Sequence, residues 1–408
     1  MRTGQVTPIG DAAGEIVLAH GQSANRQVGA KLLTRQARED AEQLMLAPGA
    51  TLSRGAGDRA APEEPDELRT CFERDRDRIL HSSAFRRLAG KTQVFVFPLD
   101  HQRTRLTHAL EVAQVATAVA RATGLNVALT EAIALGHDCG HGPGGHASED
   151  AFTPYLPEGY NHAIWGAEVT LAPLNLCAET LDGVRHHSWS LPSPLTPEGV
   201  VVSWADRCAY SAHDLEDAAD VGIVNLDDLP QAVTEVAGRS RASQLHCFIR
   251  ALVDCITETG QIGMRQPYAG ALSALRDFNY ERIYTRPGSI AQGETVVAVL
   301  RDLVEYFAHN PGKIPVSQSV ERSTGPNATG ATAGITPTGI TPTGITTAGI
   351  TTAGAMADPS TEADIAFRRA ITYVSGMTDR FAFSTAVRLL GWRLDRLPRG
   401  IDAPATSL

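Results

Sequence analysis

The amino-acid sequence predicts an all-α fold, a helical bundle with additional C-terminal helices and a low-complexity insertion. From Thr70 to about Ala308, apolar residues recur at helical spacing over long stretches punctuated by Gly and Pro. Alternating runs of the kind that build strands are few. Helical periodicity then returns at about Glu362 and continues to Leu390.

The elements follow in chain order. Residues 1–68 are rich in Gly, Ala, Arg and acidic residues, have weak periodicity and end in the run from Ala60 to Glu67. They read as a largely extended or mobile leader. Residues 69–318 form the core. In 319–361 the triplet Gly-Ile-Thr recurs with a period of five at Gly334, Gly339, Gly344 and Gly349. A β-solenoid of so few thin turns buries too little to stand alone, so the segment reads as a disordered insertion. Residues 362–408 supply the C-terminal helices, and the insertion interrupts one domain without separating two.

With 408 residues and 43% hydrophobic content, the chain is long enough to bury a sizeable core. Its 36 Lys and Arg against 46 Asp and Glu leave a net charge of −10, which argues against duplex nucleic acid as the main partner. Only Lys31, Lys91 and Lys313 are lysines, a bias that fits codon usage better than phosphate recognition. The six cysteines form no CxxC pair, as expected of a reduced cytoplasmic interior. No secretory leader and no membrane-length apolar run is read, so the expectation is a soluble cytoplasmic protein.

The chemistry begins on a helix from Thr104 to Ala122. His108, Val112, Val115 and Val119 share one face, with Arg105 one turn earlier, so His108 points into the interior. Alone, such a histidine is more often a satisfied core residue than a ligand. The next helix runs from Leu129 to Asp138, with Leu129, Ile133 and His137 on one face, and breaks at a turn carrying glycines 140, 142, 144 and 145 with Pro143. His137, His141 and His146 with Asp138 and Glu149 crowd into thirteen residues. Buried groups of this kind cost several kcal/mol unless paired or bound to a cation, so packing alone explains them poorly. On a third helix, Val201 to Asp214, the residues Asp206, Tyr210 and Asp214 form a polar stripe among Trp204, Ala205, Ala209 and Ala212. A solvated face is the alternative reading of that stripe.

His108, the doublet His137-Asp138 and Asp206 resemble the H…HD…D signature of the HD-domain metal-dependent phosphohydrolases. More specifically, four segments resemble the deoxyguanosine triphosphate triphosphohydrolase-like family: Arg76 to Phe95, Arg103 to His108, His137 to His146, and Gly376-Met377-Thr378-Asp379-Arg380-Phe381. The similarity covers about residues 70–310 and 362–392. Two imidazoles and two carboxylates suit Mn or Mg, or else Fe, Co or Zn, with positions left for water and a phosphate oxygen.

The resemblance implies cleavage of a deoxynucleoside triphosphate at the α-phosphorus, giving deoxynucleoside and tripolyphosphate. It gives His146 and Glu149 the orientation of water or proton exchange, and His162 protonation of the leaving 5′ oxygen. Arg105 and Arg207 would hold phosphate oxygens, and His141 phosphate or the metal's surroundings. Gln93, Tyr210 and Asp214 would contact the deoxyribose. For these outer residues a structural role stands beside the contact role. The resemblance also implies a homo-oligomer, a tetramer or hexamer, with an allosteric nucleotide.

The chain departs from the family in carrying Gly144 where Phe is common, and Ala163 to Glu168 in place of an amide-rich run, which bears on base preference. The cations of Arg69 to Lys91 form either a patch that guides an anionic substrate or a solvated helix face. Two other readings of the whole remain. One is an HD phosphohydrolase acting on a nucleoside monophosphate, a cyclic nucleotide or guanosine tetraphosphate. The other is a non-catalytic binder of nucleotides or single-stranded nucleic acid, which the intact ligand set and the 6% aromatic content disfavour.

Overall fold

The computed structural model describes residues 10–11, 14–15, 18, 28–99, 101–315 and 361–398. The repeat insertion expected at 319–361 lies outside the described residues apart from Thr361. The described residues form fifteen α-helices joined by short 3-10 and π turns, and a two-residue antiparallel pairing of Gly10–Asp11 with Gly14–Glu15. The all-α expectation holds.

Helix α1 (Arg35–Met45) falls in the stretch expected to be extended. Thr34 caps it by accepting from the Ala37 N–H, and Arg38 pairs with Glu73. Beyond α1, Thr51 donates through its N–H and hydroxyl to Glu198, at 3.1 and 2.7 Å, and Arg59 forms a fully buried pair with Asp75 at 2.6 Å. The tie to Glu198 spans 147 residues and the pair with Asp75 spans 16, and periodicity registers neither polar attachment.

A Thr70/Glu73 capping box starts α2 (Cys71–His81), and α3 (Ser83–Arg87) follows. Helix α4 (Arg105–Thr123) ends at left-handed Gly124, and Asn126 caps α5 (Val127–Gly136). Then come α6 (Ala147–Phe152), α7 (His162–Trp165), α8 (Ala178–His186) and the long α9 (Pro197–Asp220). Thr196 caps α9, with Pro197 in its first turn. The chain continues through α10 (Gln231–Val236), α11 (Arg241–Thr259), α12 (Tyr268–Asn279) and α13 (Pro287–His309). It closes with α14 (Glu362–Ser375) and α15 (Asp379–Leu390).

Helices α4, α5 and α9 pack on one another at the centre of the main apolar core, with α2, α8, α11 and α12 around them. Val112, Val115 and Val119 are fully buried there, each worth roughly 1.5–3 kcal/mol of transfer free energy. A second core joins α6, α13, α14 and α15 through Phe152, Leu300, Val374 and Phe383.

The two cores are tied together behind the glycine-rich turn. Lys91, fully buried, donates to the His141 and Ser375 carbonyls. Asp379 accepts from the Thr92 N–H and hydroxyl, at 2.9 and 2.5 Å, and from the Gly144 N–H at 2.8 Å. Asp379→Ala would leave those buried donors unsatisfied. We expect a loss of about 2–3 kcal/mol in urea unfolding, and a loss below about 0.5 kcal/mol would show that the tie contributes nothing.

Candidate active site

The helix packing carries His108 inward on α4, His137 and Asp138 inward at the end of α5, and Asp206 inward on α9. His108 Nε2 lies 3.0 Å from Asp206 Oδ1 and 3.8 Å from Asp138 Oδ2. His137 Nε2 lies 3.5 Å from Asp138 Oδ2 and 3.7 Å from Asp206 Oδ1. Residues far apart in the chain thus converge at one point. His137 Nδ1 donates to the Ala134 carbonyl at 2.6 Å, which leaves Nε2 with a lone pair and no partner. A buried unpartnered lone pair beside two carboxylates is the donor set that a divalent ion completes. Neighbouring ligands of an octahedral ion bonded at about 2.1 Å sit about 3 Å apart, so the spacing fits.

The electrostatics point the same way. Burial works to raise Asp138, but Arg105, His137 and His141 hold its carboxyl well below the usual range. Asp206 is likewise opposed by burial and held down to about 2 by His108 and His137. Burial disfavours protonated His108, yet the bond to Asp206 and the charges of Asp138 and Asp214 raise it. Arg105, expected at phosphate, donates to Asp138 Oδ2 at 2.6 Å, while its Nε is unpartnered.

Beside the four donors sits a second polar group. The Cβ that any other residue would carry at position 140 would run into the His162 carbonyl and the Gly166 backbone, so Gly140 lets α7 lie against this turn. His162 consequently stacks on His141 with ring centroids 3.8 Å apart. Glu149 is the hub: its Oε1 lies 2.5 Å from His162 Nδ1, 3.3 Å from His146 Nδ1 and 3.9 Å from His141 Nδ1. Against burial, His162 and His146 hold the Glu149 carboxyl below its ordinary range. His146 itself is 75% exposed at the cavity, whereas His141 is buried and pushed down by burial, Arg105 and His162.

Both groups line a cavity of about 590 Å³. Gln93, Arg207, Tyr210 and Asp214 line it too, so every residue singled out in the sequence is at the cavity or touching a residue that is. Gln93 Oε1 is buried and unpartnered. Asp214 Oδ2 accepts from the Tyr284 hydroxyl at 2.6 Å, and its Oδ1 is unpartnered. Gly144, in the left-handed region, brings its backbone against Val296 on α13, where a Cβ would collide.

Burial pushes the Asp214 carboxyl up to about 7. A raised acid pKa stabilises the fold fully below the unfolded value near 4 and loses that contribution as pH rises through about 7. In the metal-free protein, Asp214→Asn should therefore gain on the order of a few kcal/mol relative to the parent above pH 8 and little at pH 4. Parallel melting curves at the two pH values check this, and a gain equal at both would contradict it.

Sequence reasoning passed over His187. It caps the end of α8 with Nδ1 donating to the Val184 carbonyl at 2.8 Å, and its Nε2 faces His162 Nε2 at 3.2 Å. Burial, His137 and His162 push it down to about 3. The signal was available, since Thr180, Val184 and His187 lie on one helical face, as His108 does with its valines. Tyr284, Lys91 and Asp379 were also passed over as partners. Several cations of Arg69 to Lys91 are engaged within the fold: Arg69 with Asp66 and Asp77, Arg74 and Arg78 with Glu63, and Lys91 with the distant His141 and Ser375 carbonyls.

A mixed His/Asp centre closing three helices defines the class, and the chain matches the HD domain over residues 105–211. A deoxyguanosinetriphosphate triphosphohydrolase-like protein of Caldanaerobacter subterraneus subsp. tengcongensis is 40% identical over 288 residues, 69% of this chain and 85% of that one. A protein of the same description from Clostridium tetani is 38% identical over 307 residues, 70% and 86% of the two chains. One from a Ruegeria species is 32% identical over 411 residues, 85% and 99%. The chain belongs to the deoxyguanosinetriphosphate triphosphohydrolase-like family. Among solved structures, a hypothetical protein from Aquifex aeolicus is similar at a TM-score of 0.39 and 17% identity, covering 58% of this chain and 63% of that one. By its HD-domain match and its curated relatives, this chain is a phosphohydrolase of the HD class, with a cluster able to hold a metal. Among the described residues no helix is long and apolar enough to cross a membrane.

Proposed function

We propose that the protein is a dNTP triphosphohydrolase, cleaving a deoxynucleoside triphosphate at the α-phosphorus to deoxynucleoside and tripolyphosphate. The observation that supports it most is the convergence of His108, His137, Asp138 and Asp206 beside the Glu149 histidine cluster in a cavity large enough for a nucleotide. Those four residues would hold Mn or Mg. The ion supplies Lewis-acid stabilisation of the charge that builds on phosphoryl oxygens.

The chain's own groups do the rest. Arg105 keeps Asp138 ionised and oriented, and Arg207 takes phosphate oxygens with its free guanidinium edge. His141, stacked on His162, lies at the phosphate end. Glu149 aligns His146, which orients the attacking water, and His162, which protonates the leaving 5′ oxygen through the nitrogen not bonded to Glu149. Water adds to the α-phosphorus, the bond from phosphorus to the 5′ oxygen breaks, and the deoxynucleoside departs. Gln93, Tyr210 and the Asp214–Tyr284 pair receive the deoxyribose, where unpartnered Gln93 Oε1 and Asp214 Oδ1 can accept from a sugar hydroxyl.

The test is incubation with each dNTP and Mn, Mg or Co, with products separated by ion-exchange chromatography. Tripolyphosphate and deoxynucleoside in equal amounts are expected. Monophosphate with pyrophosphate, or no turnover of any dNTP, would overturn the reading.

A further inference from the structure

Arg207 follows Asp206 on α9 and faces the same cavity. Its Nε has no hydrogen-bond partner, and among the described residues it forms no ion pair. What it does have is an aromatic floor. The guanidinium carbon sits 3.4 Å from the centroid of the Trp189 ring, at stacking distance.

Trp189 is itself held firmly. Its indole N–H donates to the Ser203 carbonyl at 3.0 Å, and the Trp204 ring meets it edge-on at 4.6 Å with planes 76° apart. The Ser203 hydroxyl in turn donates to the His187 carbonyl at 2.5 Å. The indole is thus bolted to the helix that carries Asp206 and Arg207, yet Trp189 remains 44% exposed at the cavity wall. With Arg207 over its face, that face is not available to a nucleobase.

We infer that Trp189 is a positioning residue for polyphosphate: its indole lays the Arg207 guanidinium flat and leaves the in-plane N–H groups to the oxygens of the substrate's triphosphate. The inference rests on the substrate reading above and adds to it a side chain that touches no reacting atom. A flexible ammonium, or a guanidinium with no plate beneath it, would present its donors in many orientations, and the ordering would have to be supplied at each binding event.

The experiment uses the full chain loaded with Mg, with Mg kept in excess over the probe. Calorimetry measures binding of inorganic tripolyphosphate and, separately, of each of the four deoxynucleosides. Trp189→Ala is expected to weaken tripolyphosphate binding about tenfold and to leave deoxynucleoside binding within about twofold, while Trp189→Phe keeps tripolyphosphate within about threefold of the parent. Because Trp189 is half exposed, both variants should fold, and an unchanged melting temperature verifies it. Unchanged tripolyphosphate binding by Trp189→Ala overturns the inference alone. So does equal weakening of both probes, which marks a merely structural role, and so does failure of phenylalanine to rescue. If the parent chain binds no tripolyphosphate, the substrate reading falls and this inference with it.

Discussion

An Asp206→Ala variant is expected to lose stoichiometric binding of the divalent ion, its affinity falling by more than about 100-fold, while far-ultraviolet circular dichroism stays at the parent level. Altering a residue that merely orients a ligand typically costs 10–100-fold in affinity, and removing a donor costs more. Here the donor is also one of two anions. Without it, the buried imidazoles of His108 and His137 face Asp138 alone, and Asp138 is already shared with Arg105. Helix α9 should persist, because Val201, Val202, Ala205, Cys208 and Ala209 remain fully buried on its core side. Metal analysis after dialysis gives the readout, and an ion retained at the parent's stoichiometry would contradict the assignment.

Glu149→Gln is expected to lower kcat by about 10²–10³ with metal content unchanged and KM shifted little. The carboxylate lies within hydrogen-bond reach of both His162 and His146, and positioned proton-transfer groups contribute roughly 10²–10⁴ in rate. Glutamine keeps the shape. One oxygen, Oε1, meets both rings, so the amide oxygen can take its place, but as a neutral and weaker acceptor that no longer stabilises a protonated imidazole. Steady-state kinetics beside metal analysis separate the outcomes. A fall of less than tenfold would remove Glu149 from the mechanism, whereas loss of the ion would move the metal into its cluster.

How much of this was legible in the sequence depended on the kind of signal. His108 and His137 declared themselves because each shares a helical face with apolar residues, and a polar group on a buried stripe needs a reason. His187 sits on such a face too, but α8 before it has only nine residues and the doublet with His186 obscures which ring points inward. Asp206 was found through its stripe with Tyr210 and Asp214. Arg105, read from the sequence as a phosphate contact, lies beside the centre, but its bond to Asp138 depends on the approach of α4 to α5 and has no local signature. Polar ties across long sequence separations, such as Asp379 to Thr92 and Gly144, were beyond reading for the same reason. So was the attachment of residues 51–59: the weak periodicity there gave no hint that Glu198 and Asp75 wait for them in the core.

The measurement that bears most directly on the central claim is anomalous X-ray scattering at the manganese edge from crystals grown with Mn. Among the described residues three side-chain groups have metal-ligating chemistry: His108, His137 and Asp206 form the first, His137, Asp138 and His187 overlap it, and His141, His146, Glu149 and His162 form the third. The account predicts a single strong peak within about 2.0–2.3 Å of His108 Nε2, His137 Nε2, Asp138 and Asp206. A peak held by the Glu149 cluster, with the first group empty, would contradict it.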